Sequence, residues 1–267
     1  MAEIQFKGNH ISINGSITED EVDHILTCPD SIEWVQFYGY NDSPENLKLL
    51  NRFFQAKPHV YLINVRKDQL QFIPDVQNIA FYQFEESLFE ELKFVKHVNG
   101  LDLKSLKNKV DLSPLLAYKE TLTELRFEKD IKKASEKVIS QLSNLKKVSF
   151  ISSKFSSFDF LKELPIEFFF FFGSKTNDYQ ALSSLQNLKN FRLKTNTTWS
   201  DFDFLKELDK LETIDIQYCS AITRFPNLEH LQHLKEVSVD GNKLEDVTEM
   251  WKLKNCKVYA TGKVLIK

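Results

Sequence analysis

Three groups of residues in this chain have types and spacings that chemistry can use. His230 and His233 lie three apart in EHLQHL, so one helical turn can aim both imidazoles at a metal ion, with Glu229 the sole further ligand nearby. Two imidazoles and one carboxylate fall short of a closed four-ligand site, and no metal is expected. Asp201 and Asp203 in WSDFDFL read as caps on a turn rather than as an acid/base pair. The third group is aromatic. EFFFFFG at 167–173 places five phenylalanines in succession, and the chemistry of such a run is recognition.

Reaction motifs are missing from the rest of the chain. There is no phosphate-cradling glycine loop, and only seven glycines occur in 267 residues. No serine elbow, Cys-x-x-Cys pair or His-Glu-x-x-His appears. A non-enzymatic protein without a cofactor is therefore expected. The net charge of −3 gives no electrostatic reason for a nucleic-acid or membrane partner. No apolar run has the length of a membrane span. Cys28, Cys219 and Cys256 are too few and too far apart for a disulfide framework. The opening MAEIQFKGNHISING has neither the basic nor the apolar region of a secretory leader, so the expectation is a cytoplasmic location or, alternatively, a leader already removed.

The elements that position these residues repeat. A three-point apolar mark (apolar, two variable, apolar, one variable, apolar) returns about every 22 residues. The cleanest copy is Leu234/Val237/Val239 in LKEVSVDGNKL. Others are Leu211/Ile214/Ile216, Leu188/Phe191/Leu193, Ile166/Phe169/Phe171, Leu145/Val148/Phe150 and Leu122/Leu125/Phe127. Weaker copies are assigned at Val98/Leu101/Leu103, Ile79/Tyr82/Phe84, Val60/Ile63/Val65 and Ile32/Val35/Phe37, with a partial one at Cys256/Tyr259. A fixed period of this size means a stacked solenoid. The last two points of each mark alternate inward on a strand, and the first packs where the chain enters it. Three residues after the last point a polar side chain bonds the backbone of the turn, which makes a ladder of Ser87, Ser153, Ser174, Asn196, Cys219 and Asn242, with Asp68 and Asp130 in the same slot.

LKEVSVDGNKL, LETIDIQYCSAI and LKNFRLKTN resemble the leucine-rich-repeat pattern L-x-x-L-x-L-x-x-N/C-x-L, of the short internalin-like bacterial or phosphatase-regulator type. The resemblance covers roughly residues 32–261. It implies an α/β leucine-rich-repeat solenoid with a curved parallel sheet on the concave face, and a function of gripping another macromolecule.

The ends read as caps on an array at 32–255. Residues 1–31 hold a hairpin about Gly8–Asn9, with Phe6 opposite Ile11 and Ile4 opposite Ile13. A helix follows with a Thr18/Glu21 capping box and an Ile17/Val22 staple. Residues 256–267 read as a strand, a Thr261–Gly262 turn and a closing strand, all within one structural domain. On the convex side helices are expected from Ser43–Pro44 to about Phe54, and from about Lys132 to Leu142 with Ala134 inward. FDFLKEL occurs at both 158–164 and 202–208, a sign of repeat duplication.

In this frame Phe168, Phe170 and Phe172 point away from the core, Ile151 extends their apolar surface, and Arg126, Lys147, Arg192 and Lys194 surround it. Aromatic anchors within a polar and arginine-rich rim are the composition of an interface hot spot. A second aromatic group is Trp34, Tyr38, Leu62 and Phe81. The expected function is recognition of a partner protein, as a bacterial inhibitor or immunity protein. The alternative is a scaffold or adaptor linking two partners. A monomer is expected unless the Phe patch self-associates.

Overall fold

The computed structural model describes residues 2–38, 43–106, 108–176, 178–240, 243–244, 246–260 and 263–265. It divides into two compact units, Met1–Val110 with Thr121–Glu124, and Asp111–Glu120 with Leu125–Lys267. Both are built of the repeats of an α/β leucine-rich-repeat solenoid, and each is described by itself.

Among its described residues the first unit holds six strands in sequential order, β1 (Glu3–Lys7), β2 (His10–Asn14), β3 (Trp34–Tyr38), β4 (Tyr61–Val65), β5 (Asn78–Phe81) and β6 (Gly100–Leu103). The hairpin forms as read, with Phe6 opposite Ile11 and Ile4 opposite Ile13, and β2 through β6 pair parallel. Helix α1 (Glu19–Leu26) begins with the full capping box of Thr18 and Glu21, and the staple residues Ile17 and Val22 are buried. Helix α2 (Pro44–Ala56) starts at the N-cap Ser43, which accepts the Asn46 N–H, and buries Leu47, Leu50, Phe53 and Phe54. Asp75 ties α2 to the following repeat by accepting from Asn51 and Gln55, each at 2.8 Å, and from Lys96.

The second unit holds β7 (Glu124–Glu128, from Leu125 onward), β8 (Lys147–Ile151), β9 (Lys154–Phe155), β10 (Phe168–Phe172), β11 (Lys175–Thr176), β12 (Asn190–Lys194), β13 (Thr213–Gln217), β14 (Glu236–Asp240), β15 (Lys257–Ala260) and β16 (Lys263–Leu265). The sheet order is β7-β8-β10-β12-β13-β14-β15-β16, with β9 and β11 pairing apart from it. Pairing is parallel from β8 to β15, and β16 returns antiparallel. The expected closing turn at Thr261–Gly262 lies outside the described residues. Inward mark residues align strand to strand: Val148, Phe169, Phe191, Ile214 and Val237 share one register and are all 0–1% exposed. Short 3-10 turns cross the other side, two of them at the duplicated FDFLKEL segments. Phenylalanine does the packing that leucine does elsewhere. Phe158 meets Phe169 and Phe171 edge-on at 5.2 Å each, and Trp199 stacks on Phe171 at 5.4 Å. Each buried ring of this kind contributes about 1.5–3 kcal/mol.

The strand exits show why the period is so regular here. Lys129, Ser152, Gly173, Thr195 and Tyr218, each two residues past the last inward point, take φ between 52° and 77°. Their N–H groups donate to the next strand's carbonyls at 2.7–2.9 Å, which continues the sheet bonding around the corner. One residue further on, the ladder forms at Ser153, Ser174, Asn196 and Cys219, all 0–3% exposed. The Ser174 hydroxyl sits 2.9 Å from the Phe172 carbonyl and accepts the Ser153 N–H, while Asn196 accepts the N–H groups of Thr198 and Trp199. Asp130 accepts the Lys154 N–H. Asn242 lies outside the described residues.

Helix α3 (Ala134–Ile139) is shorter than expected, with Ala134 exposed and Ser135 inward, where its hydroxyl accepts the Leu112 N–H at 3.0 Å. Helix α4 (Thr248–Trp251) is a single turn.

Four frame assignments in the weaker repeats are corrected. In β4 the core residues are Leu62 and Val65, while Ile63 is half-exposed. A bulge between Ile63 and Val65, with Asn64 at φ 64°, breaks the two-residue alternation, so a mark counted through Ile63 is out of phase. In β5 the inward points are Val76, Ile79 and Phe81, and Tyr82 is 53% exposed. VQNIAFYQF fits the mark in two frames, and the adopted one leaves the tyrosine hydroxyl in water. Ser87 consequently leaves the ladder for a 3-10 turn, and Phe84 fills the slot. At the far end Val258 and Ala260 pair with Val237 and Val239, so Cys256 and Tyr259 are half-buried neighbours rather than core points.

Candidate functional site

On the second unit's sheet, the face turned away from the core is set by strand alternation. Phe169 and Phe171 are fully buried, so Phe168, Phe170 and Phe172 stand on the other side. Phe172 is 38% exposed and the other two are half-buried. The Phe170 and Phe172 rings stack in parallel at 6.2 Å, forming a ridge along β10. Gly173 follows immediately at φ 57°, so no side chain flanks Phe172 at the strand exit.

Register places the neighbours. Phe168, Phe170 and Phe172 lie beside Lys147, Ser149 and Ile151 on β8, and beside Asn190, Arg192 and Lys194 on β12. Arg192 is exposed and its guanidinium carbon lies 5.6 Å from the Phe168 ring centroid, a cation–π contact. Lys194 is half-buried and pairs with Asp215 at 3.4 Å. Lys147 is exposed, and Arg126 is half-buried on β7, which adjoins β8. Ile151 is 8% exposed, so it supports the ridge more than it widens it. The structure thus brings seven of the eight predicted residues together on the consecutive strands β8, β10 and β12, with Arg126 one strand further out.

A charge ladder runs along the strand starts beside this face. Glu167 lies 3.5 Å from Lys146 and 2.7 Å from Lys189, and Lys235 lies 2.6 Å from Glu212. The hydrogen bond from Lys189, aided by both lysine charges, holds the Glu167 carboxyl below its usual range. Residue-by-residue reading missed the ladder, although the signal is visible: the residue after each first mark point alternates Lys146, Glu167, Lys189, Glu212, Lys235.

The second aromatic group does not assemble as expected. Leu62 and Phe81 belong to the first unit's core, at 3% and 0% exposure, for the reasons of register given above. Trp34 is half-buried and Tyr38 is 52% exposed. Trp34 instead stacks on Tyr61 at 4.7 Å. The Tyr61 hydroxyl reaches over Gly100 so closely that a methyl group there would lie 2.2 Å from it. Lys104 lies 5.6 Å from the Trp34 ring and 3.5 Å from Asp102, which is 1% exposed. Asn78 and Gln36 are buried under this layer, bonded to the Pro58 carbonyl and to Asn64. Burial, then the charges of Lys104 and Lys7, lowers the pKa of His10 at its margin. The frame slip concealed Tyr61, the residue on which the layer depends.

His230 hydrogen-bonds to the Lys206 carbonyl at 2.9 Å, and among the described residues no three metal-binding side chains converge. Cys28, Cys219 and Cys256 are not disulfide-bonded among the described residues, and burial raises Cys219 and Cys256 to about 11. No helix among the described residues is long and apolar enough to cross a membrane.

No family model and no curated protein matches the sequence. Solved structures do match in fold. An internalin (inlF) from Listeria monocytogenes superposes with a TM-score of 0.53 at 15% identity, over 94% of this chain and 79% of that one. Internalin C2 from the same species gives 0.50 at 16% identity, over 91% and 92%. The leucine-rich-repeat ectodomain of the Arabidopsis thaliana receptor kinase GASSHO1/SCHENGEN3, solved in complex with Casparian strip integrity factor 2, gives 0.52 at 13% identity, over 94% and 34%. At these identities the likeness is one of fold.

Proposed function

We propose that this chain is a non-enzymatic recognition module that binds a partner protein over Phe168, Phe170 and Phe172. The carrying observation is the contrast along β10, where Phe169 and Phe171 are fully buried and Phe172 is 38% exposed. Folding needs the first pair; it gives no reason for aromatic rings at the other three positions, where exposure favours aggregation. The receptor ectodomain solved with Casparian strip integrity factor 2 shows the same fold holding a ligand, which supports the reading. A partner seated on the ridge blocks an enzyme if the chain is an inhibitor; an adaptor needs a second, independent surface.

The test is affinity capture from cells of the native organism by the wild-type chain and by a Phe168→Ser, Phe170→Ser, Phe172→Ser variant. The variant is first checked for retained melting behaviour. The partner should be captured by the wild type and released by the variant. Equal capture by both places recognition elsewhere.

A further inference from the structure

We infer that the partner surface seated on the Phe ridge is acidic: an apolar side chain flanked by carboxylates. The inference rests on the recognition reading above and extends it to the chemistry of the occupant. From β8 to β14 the charges on this face sort by strand, whereas β7 beyond β8 carries Arg126 together with the carboxylates Glu124 and Glu128. The ridge strand β10 carries none between Phe168 and Phe172. Its two neighbours present three cations and no carboxylate beside it, namely Lys147 on β8 with Arg192 and Lys194 on β12. The next strands beyond β12 reverse the sign, with Asp215 on β13 and Glu236 and Asp240 on β14.

These cations are not equivalent. Lys194 is answered within the chain by Asp215 at 3.4 Å. Arg192 lies over the Phe168 ring, exposed, and although Asp215 is its cross-strand neighbour on β13, that carboxylate pairs with Lys194 and Arg192 makes no ion pair among the described residues. A partner that covers the ridge must desolvate this guanidinium. Doing so without an opposing charge is costly, whereas a carboxylate satisfies it through paired N–H···O bonds. A basic partner meets like charges on both flanks.

Two other occupants fit less well. A second copy docking ridge to ridge about a two-fold axis sets the same cations near one another. A single-stranded nucleic acid stacks well on phenylalanine, but a phosphate chain crossing the sheet runs onto Asp215, Glu236 and Asp240 within two strands.

The experiment selects a displayed random-peptide library on the folded wild-type chain. Each enriched peptide is then titrated against wild type, Arg192→Glu, and the triple Phe-to-Ser variant. Expected are peptides with an aromatic or aliphatic residue between Asp or Glu residues. Their affinity should fall about tenfold or more in Arg192→Glu, equivalent to about 1.4 kcal/mol, and weaken as salt is raised. Arg192 is exposed, so its variant reports on charge even if the triple variant melts. Ridge-dependent peptides without acidic enrichment overturn this inference and leave the recognition reading standing. Peptides bound equally by a folded triple variant, or no enrichment at all, overturn both. A ridge-dependent dimer in sedimentation velocity, or ridge-dependent binding of oligo-dT, assigns the site to another occupant and also overturns the inference.

Discussion

Each unit finishes the outward side of its own strands differently. In the first, Trp34, Tyr61 and Lys104 lie over the strands, and Asn78, Ala80, Gly100 and Asp102 beneath them are buried although they point away from the core. In the second, the rings of β10 stand up from the strand, with Phe172 stacked on Phe170 and 38% exposed. The strand exits differ as well. Both units use left-handed residues there, Gln83 and Ser105 in one and Lys129 through Tyr218 in the other. The slot that follows holds the apolar Phe84 and Leu106 in the first unit, and the polar ladder from Asp130 to Cys219 in the second. A shared backbone solution therefore tolerates two side-chain solutions. Tyr38 and Tyr82 are 52% and 53% exposed in the first unit, so the difference lies in the stacked ring pair of β10 and the cations beside it, on which the recognition proposal rests.

The sharpest way to break this contrast is to truncate adjacent rings. Phe171→Ala should cost about 3–5 kcal/mol in urea unfolding, because it empties a fully buried site. Phe172→Ala should stay within about 0.5 kcal/mol. Comparable losses at the two positions would mean that the ridge is core, and the recognition reading would fail.

Two glycines test the two units separately. Gly100→Ala forces a methyl group onto the Tyr61 hydroxyl and the Asn78 side-chain oxygen and should destabilise by about 1–3 kcal/mol. Adding Tyr61→Phe, which removes the closest atom, should restore part of that. Gly173 has room for a methyl group, with only Ser152 at 3.7 Å, so Gly173→Ala should cost only the left-handed backbone penalty of about 1–2 kcal/mol. If Tyr61→Phe gives no rescue, the Asn78 side chain and the Tyr61 ring carbon, rather than the Tyr61 hydroxyl, are what make Gly100 necessary.

Asp75 probes how the first unit anchors its helix. The hydrogen bond from Lys96, with those of Gln55 and Asn51, brings its carboxyl from 3.8 down to about 2. A depressed carboxylate stabilises the fold above its unfolded pKa, and that stability is lost as pH falls from about 4 toward 2. Asp75→Asn should lower stability by about 1–2 kcal/mol at neutral pH and flatten the acid limb across that window. An unchanged acid limb would show that other carboxylates govern it.

The smallest effect is expected at the charge ladder. Glu167→Gln should change stability by about 0.5 kcal/mol or less, since its partners are solvent-exposed, and salt should shrink even that. A loss several times larger would make the ladder a determinant of repeat register.

The second unit was legible because its marks are unambiguous. Leu188/Phe191/Leu193 and Leu234/Val237/Val239 each have apolar residues at the three points and polar ones between, so only one frame buries them. The outward placement of Phe168, Phe170 and Phe172 followed from the repeats on either side, since a run of five identical residues has no phase of its own. YLINV and VQNIAFYQF carry apolar residues in both phases, and there the frame slipped, taking Leu62 and Phe81 with it.

By itself the sequence determined the period, the capping hairpin and helix, and the aromatic strand with its flanking cations. These depend on local spacing and on the two-residue alternation of a strand. Tertiary structure alone decided where a bulge resets that alternation, and that Tyr61 lies down over Gly100 while Phe172 stacks on Phe170 and stays 38% exposed. Those outcomes turn on which side chains from different strands compete for the same space, and no local pattern records that competition.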